Sequence, residues 1–412
     1  MSDKEKASSS DFKKGILAGA IGVLVFLAAL LTGAYLILGK AFDLDFLNIR
    51  SIAKVKVISG LIDKYYYKDI SDEDKETGVY RGLVGAMDDP YSEYLTSAEY
   101  KKIQQETSGK YTGIGISVTK DASSGKVKVV RVFSGSPADR AGLKKGDYII
   151  ACDGYIASEM SLSDFTGHIK GRAGSKVNVV YSRSGVRKKV SIRREKLTSQ
   201  SVWGRMLDKE HGIGYINIAE FNGTTAKEFE KELKSLKGEG MKAVIYDLRE
   251  NPGGLVDSVT RILDDILPKG TTVCMMDKNG KKTTFSSDDK KQEKLATVVL
   301  VSGNTASAAE IFSGAVRDFK YGTLIGTRTF GKGIVQQEFT LGDGSAVKLT
   351  VERYFTPDGE CIHKKGIKPD IVLKYRYSGD RAGLDDLSDY DFSKDNQVQK
   401  GISVLLGKIL YQ

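Results

Sequence analysis

The chain is poor in cysteine, histidine, proline and tryptophan. Its three cysteines (Cys152, Cys274, Cys361) in 412 residues exclude a disulfide framework and any CxxC zinc site. The three histidines (His168, His211, His363) form no HExxH motif, so neither a catalytic metal nor a cofactor is expected. Six prolines beside 45 glycines exclude collagen-like and proline-rich architectures. The net charge of +10 points towards nucleic acid only superficially. Acidic residues sit among the lysines, and basic and aromatic residues do not alternate as they do in nucleic-acid binders. The charge reads instead as a solvated surface that tolerates an anionic envelope. With 40% apolar and 28% charged residues the chain has a globular profile, long enough for two or three domains of roughly 150 residues.

One long apolar run stands out. Gly15 to Gly39 carry no charge over 25 positions. At about 1.5 Å per residue such a helix spans a hydrocarbon core of roughly 30 Å. A cleaved signal peptide is the alternative, but its apolar region is only about 7–15 residues long. An uncleaved transmembrane helix over 15–39 is therefore expected, with residues 1–14 before it. Four basic residues precede the run (Lys4, Lys6, Lys13, Lys14) and four follow it closely (Lys40, Arg50, Lys54, Lys56), so charge counting alone does not orient it. The adjacent Lys13 and Lys14 favour a cytoplasmic N-terminus.

Residues 40–108 read as a helical region, with a turn at Asp89-Pro90. Residues 109–196 change to short β-rich runs broken by glycine turns, with two helical stretches. From 197 to 375 strand and helix patterns alternate, which argues an α/β core. Residues 376–412 are polar and end in a helical segment.

Two constellations carry chemistry. In the first, Gly113-Ile114-Gly115-Ile116 precedes a β-run, and glycines let successive N–H groups converge on an anion. An ordinary turn would look the same. The spacing of this segment to SPADRAGLKKGD and then GHIKGRAG is more specific and resembles a PDZ domain, which binds a peptide C-terminus by strand addition. In the second, Ser307 follows an apolar strand and opens a helix. Ser307-x-x-Glu310 fits a capping box, the bland reading. The same place suits a nucleophile, because free N–H groups and the positive helix end would stabilise an oxyanion. No histidine lies in a suggestive motif for a base. Lys332, between Gly331 and Gly333, is either a solvated turn lysine or, if held in apolar surroundings, a neutral base.

DLRENPGG, NTASAAEI, GTRTFGKGIVQ and RYFTPDGECIHKKGIKPD, in this order along the chain, resemble the carboxyl-terminal processing (tail-specific) proteases. The likeness runs from about Ile58 to the end. It implies a serine–lysine endopeptidase with an α/β core (α+β, ClpP/crotonase-like), an inserted PDZ domain and flanking helical regions. In the family pattern the lysine follows the serine by 25 positions, as Lys332 follows Ser307. The resemblance assigns Ser307 as nucleophile, Lys332 as base and Gln336 as the residue orienting the lysine. It assigns the oxyanion donors to Ala308 and to Gly253 or Gly254. Lys170 or Arg172 corresponds to a basic PDZ residue that touches the core when active. Two positions depart from the pattern, Thr305 and Ala309. The expected partners are protein C-termini, a membrane through one helix and a second copy of the chain, with the catalytic part outside the cytoplasm. A catalytically inert, membrane-tethered PDZ adaptor is the competing reading.

Overall fold

The computed structural model describes residues 19, 21–33, 48–121, 124–288, 290–291, 293–379 and 390–410. The chain divides into two units, residues 1–83 and 84–412.

In the first unit residues 21–33 are helical and almost wholly exposed, while the rest of the apolar run 15–39, residue 19 apart, lies outside the described residues. Among the described residues no helix is long and apolar enough to cross a membrane. Helix α1 (Ile49–Tyr65) starts where the Asn48 side chain accepts the Ser51 N–H at 3.0 Å. Helix α2 (Asp72–Gly85) carries three acidic residues in its first turn, a favourable placement at the positive helix end.

The reading of residues 40–108 as helical needs one correction. Strand β1 (Glu93–Leu95) interrupts the helices and pairs antiparallel with a strand at Ala346–Lys348. Tyr94 and Leu95 are buried there, so distant pairing overrides the local pattern. Helix α3 (Ser97–Ser108) follows, opened by a Thr96–Glu99 capping box.

The PDZ segment is a six-stranded sheet whose main path runs β3 (Ile116–Lys120), β4 (Val127–Val132), β5 (Tyr148–Cys152), β6 (Lys176–Arg183), β7 (Val186–Arg193), with the two-residue strand Tyr155–Ile156 pairing beside β5 and with helices α4 (Pro137–Arg140) and α5 (Leu162–Ile169). Val127, Val129, Ile149, Phe165, Val177 and Val179 fill its core. Strands β2 (Lys110–Gly113) and β8 (Glu195–Thr198) pair antiparallel, so the chain enters and leaves this domain through one two-stranded ribbon.

The core is a six-stranded sheet ordered β9 (Val202–Asp208), β10 (Ile213–Ile218), β11 (Ala243–Asp247), β14 (Ala296–Val301), β15 (Gly322–Gly326), β18 (Ile371–Val372). Only the β9–β10 pair is antiparallel. Its central strands are buried at almost every position, and mostly apolar apart from Thr297 and Asp247, because both faces are covered. Val244, Tyr246, Val299 and Val301 face α6 (Thr225–Gly238), α7 (Val256–Ile266) and α8 (Ala308–Asp318). Ala243, Ile245, Val298 and Leu300 face α9 (Asn396–Leu410). A second sheet joins β12 (Gly270–Asp277), β13 (Lys282–Ser287), β16 (Ile334–Thr340) and β17 (Ala346–Phe355) to β1.

A buried ionic cluster ties α9 to the end of β11. Arg249 pairs with Asp247 and with Asp395, the latter at 2.8 Å. Asp395 also caps α9 by accepting the Gln397 N–H at 2.9 Å, and it accepts the Tyr390 hydroxyl at 2.6 Å. Burial alone would raise the Asp247 pKa, but the Arg249 charge and hydrogen bonds outweigh it and hold the carboxyl below its usual range. Replacing Asp395 by alanine removes the cap and takes an acceptor from Arg249 and from the Tyr390 hydroxyl in a buried site, leaving Arg249 paired with Asp247 alone. The expected cost is about 3 kcal/mol, measured as a lowered urea midpoint at unchanged slope.

Candidate active site

The end of β14 and the start of α8 bracket Ser307. Between them Thr305 is fully buried. Its hydroxyl donates to the Leu248 carbonyl at 2.7 Å and accepts the Ser302 N–H at 2.9 Å. The Ala306 N–H donates to the Asn251 carbonyl at 3.0 Å. The turn before Ser307 is thus sewn to residues 248–251, which follow β11. The extra hydroxyl of Thr305, a departure from the family pattern, has both its bonds satisfied. Ala309, the other departure, is fully buried in the core.

Ser307 has φ +54° and ψ −120°, a combination that L-residues rarely adopt. Such strain costs about 1–3 kcal/mol and persists only where surroundings enforce it. A sharp strand-to-helix turn of this kind presents a serine hydroxyl above a sheet. Here the enforcing contacts are bonds to both backbone groups of Ser307. Tyr354 donates its hydroxyl to the Ser307 carbonyl at 3.0 Å, and the Glu310 carboxylate accepts the Ser307 N–H at 3.0 Å. The capping-box reading of Ser307-x-x-Glu310 therefore holds on the Glu310 side.

Glu310 does more than cap. Fully buried, its carboxylate also accepts the Thr329 hydroxyl at 2.5 Å and the Gly331 and Lys332 N–H groups, each at 2.8 Å. Burial raises the pKa of this carboxyl, and the four donors offset the rise only in part. One side chain thus fixes both the serine turn and the lysine loop. The spacing of Glu310 showed its local bond, but nothing in the sequence showed its bonds to residues 329–332.

The Lys332 amine is half-buried. Burial drives its pKa down, Lys348 adds to the shift, and Asp89 opposes it. Its Nζ lies 4.7 Å above the ring of Tyr91. Among the described residues no hydrogen bond joins Lys332 to Ser307 or to Gln336. Gln336 instead points its Nε2 at the Thr350 hydroxyl, 3.4 Å away. The sequence brings no attention to Tyr91 or Asp89 as site residues.

The Asn251-Pro252-Gly253-Gly254 turn lies beside the serine. A Cβ on Gly253 would stand 2.7 Å from Ser307 Cβ and 3.0 Å from the Ala308 nitrogen, and its φ is +107°, so only glycine fits. Its N–H donates to Asn251 Oδ1 at 2.8 Å. The Gly254 and Ala308 N–H groups have no such bond among the described residues. A serine at a helix N-terminus, a lysine of depressed basicity and adjacent backbone donors are the parts that acyl transfer requires.

In the PDZ domain, Ile114 is buried, and Gly115 has φ +82° and packs on Ser136. The Gly115 carbonyl accepts the Phe133 N–H and the Ser136 hydroxyl, both at 3.1 Å. Ile116 opens β3, which ends the strand order of its sheet, the position at which an added strand would pair. Lys170 sits 5.9 Å above the Tyr111 ring and borders a cavity of about 310 Å³ that includes Ile116, Phe133 and Glu220 of the core. Arg172 is exposed, and its carbonyl accepts the Ser175 N–H at 3.1 Å.

The family model described as Peptidase family S41 matches residues 212–373, and that of the PDZ domain matches 112–193. The chain is 38% identical over 308 residues to carboxy-terminal processing protease CtpA of Bacillus subtilis, covering 74% of this chain and 65% of that protein. It is 31% identical over 401 residues to a CtpA-like serine protease of Staphylococcus aureus, covering 90% of this chain and 80% of that one. The chain belongs to the CtpA-like carboxy-terminal processing proteases of peptidase family S41. An S41 protease structure from Bacteroides fragilis shares the fold at 15% identity and a TM-score of 0.54, over 85% of this chain and 96% of that one. The CtpA-like match thus spans the PDZ segment and the core in one continuous stretch.

Glu310→Gln tests how much this site depends on its buried carboxylate. An amide can accept from only part of the four-donor set and turns a donor towards the rest. We expect a loss of about 1–3 kcal/mol in stability. Turnover should fall on the order of 100-fold through misplacement of the serine and lysine turns. Thermal midpoint and kcat, measured together, check both.

Proposed function

We propose that this chain is an active, membrane-anchored serine endopeptidase that cuts proteins at or near their C-termini with a Ser307–Lys332 dyad. The observation that carries the reading is the Glu310 carboxylate, which accepts the backbone N–H of both residues and so holds their turns side by side. The neutral Lys332 amine takes the Ser307 proton as Oγ attacks the substrate carbonyl. The Ala308 N–H and the glycine turn receive the oxyanion. With the Gly253 N–H bonded to Asn251, Gly254 is the better second donor in this conformation. Gln336 orients the amine once it leaves Tyr91. No cofactor enters this chemistry. We place the core among ClpP/crotonase-like folds, on the strength of its parallel sheet covered by helices on both faces.

The PDZ domain captures the substrate's carboxylate at Gly113–Ile116 and regulates access, with Lys170 the better placed of the two basic candidates because it borders the core. The run 15–39 anchors the chain, with the catalytic part outside the cytoplasm and the helical regions supporting a homodimer. Length and lack of charge support the anchor, and long C-terminal domains translocate largely regardless of charge. The inert-adaptor reading draws on the missing Ser307–Lys332 hydrogen bond, and turnover by the wild-type protein decides against or for it.

Ser307→Ala is expected to abolish cleavage with the thermal midpoint little changed, and normal turnover by that variant would refute the nucleophile. Lys332→Arg is expected to be inactive, because a guanidinium stays protonated. The Lys332 pKa lies below the ordinary value of about 10.4, so the neutral amine appears at lower pH than in free lysine. Wild-type activity should therefore rise with pH through that lowered value and then level off. Amidating the substrate's C-terminus removes the charge that the PDZ loop would bind and should slow cleavage. Equal rates on the free and amidated tails would sink the recruitment role.

A further inference from the structure

The loop before β1 also reaches the lysine, through Tyr91. Asp89 folds it into a tight turn, accepting the Tyr91 N–H at 3.1 Å and the Ser92 hydroxyl at 2.6 Å. The Thr350 N–H of β17 donates to the Ser92 hydroxyl at 3.0 Å, which pins the turn to the second sheet. Gln336 leans on the hydroxyl of the same Thr350. Held in this way, the Tyr91 ring presents its face to the Lys332 amine at 4.7 Å.

An aromatic face attracts an ammonium and not a neutral amine. The other charges bearing on this amine are Asp89, which attracts the cation, and Lys348 of β17, which repels it. Lys348 is itself paired with Glu93. His363 packs against Gly333 next door, and burial followed by Lys364 and Arg353 push its pKa down, which favours an uncharged ring. The ring and Asp89 therefore both favour a cation at a place where burial disfavours one.

We propose that Tyr91 is a positioning residue whose ring face holds the Lys332 ammonium at a rest station, out of hydrogen-bond reach of Ser307. When the ammonium gives its proton to solvent, the attraction to the ring is lost. The neutral amine then moves to Ser307 and accepts the Oγ proton as the Oγ–carbonyl bond forms. The ring thus sets what fraction of the enzyme has its base in place at a given pH. This inference rests on Lys332 being the base.

Tyr91→Leu and Tyr91→Met remove the ring and keep an apolar side chain, and Tyr91→Phe keeps the face. For the first two, the acid limb of the kcat/KM–pH profile should move to lower pH by about 0.5–1 unit. Turnover well below the limb should then rise roughly threefold to tenfold, which a merely structural loss does not produce. Tyr91→Phe should keep the wild-type limb. A limb unmoved in the Leu and Met variants, or moved equally by Phe, overturns the proposal.

A second measurement needs no Tyr91 variant. In protein labelled with ¹³C at the lysine ε-carbons, with Lys332 assigned through Lys332→Arg, the Lys332 ε-protons should be shifted upfield by the ring below the limb. That shift should be lost above it. An unshifted resonance at low pH also overturns the proposal. The two readings fail separately. Wild-type turnover by Lys332→Ala would remove the base assignment, whereas an inactive Lys332→Ala with no ring shift removes only the role of Tyr91.

Discussion

A single buried carboxylate holds this site together. Glu310 sits at the start of α8, where helical N–H groups lack partners, and it gathers four donors from two separate chain segments. It ties the serine turn to the loop of Lys332, which lie on different sides of β15 in the sequence, beside the bond from the Phe330 N–H to the Thr305 carbonyl at 3.0 Å. The desolvation of such a group is costly unless every lone pair is used. The four donors meet that demand in part, since burial still holds the carboxyl above its usual range. The arrangement therefore behaves as a unit, because removing any one donor weakens the burial of the whole carboxylate.

A second buried charge plays the matching part on the other face of the sheet. Arg249 follows β11 by two residues and draws α9 onto the core through Asp395. Its carbonyl accepts the Ser302 hydroxyl, in the turn leading to Ser307. The last helix and the serine turn are thus connected through the backbone of one arginine. The C-terminal segment is accordingly part of the structure that supports the site and not an appendage to it.

The sequence was informative wherever chemistry is local. The alternation of strand and helix patterns from Gly214 to Gly326 corresponds to the observed parallel sheet, and the glycine-punctuated runs of 109–196 to the observed PDZ strands. Ser307-x-x-Glu310 showed half of a bonding network, since a cap is a contact between near neighbours. Long-range pairing was not legible. Strand β1 reads as part of a helical region because its partner lies some 250 residues away, at Ala346–Lys348. The carboxylate's reach to Thr329 and the ring beneath Lys332 have no signature in spacing, because folding alone brings those segments together. Spacing also could not choose between the two glycines, whereas the Asn251 bond to the Gly253 N–H separates them.

The ribbon formed by β2 and β8 has a consequence for how such proteins diversify. Lys110 lies opposite Thr198, and Gly113 opposite Glu195, so the PDZ domain hangs from the core by two neighbouring strands. A module whose ends meet in this way is interchangeable. Another domain with the same spacing between its termini could be fitted to the ribbon while the serine turn, the lysine loop and Glu310 kept their places. On the proposed reading, in which the PDZ domain binds substrate tails, recognition and cutting occupy separable parts of one chain, and a lineage could change the tails it reads without rebuilding the chemistry that cuts them.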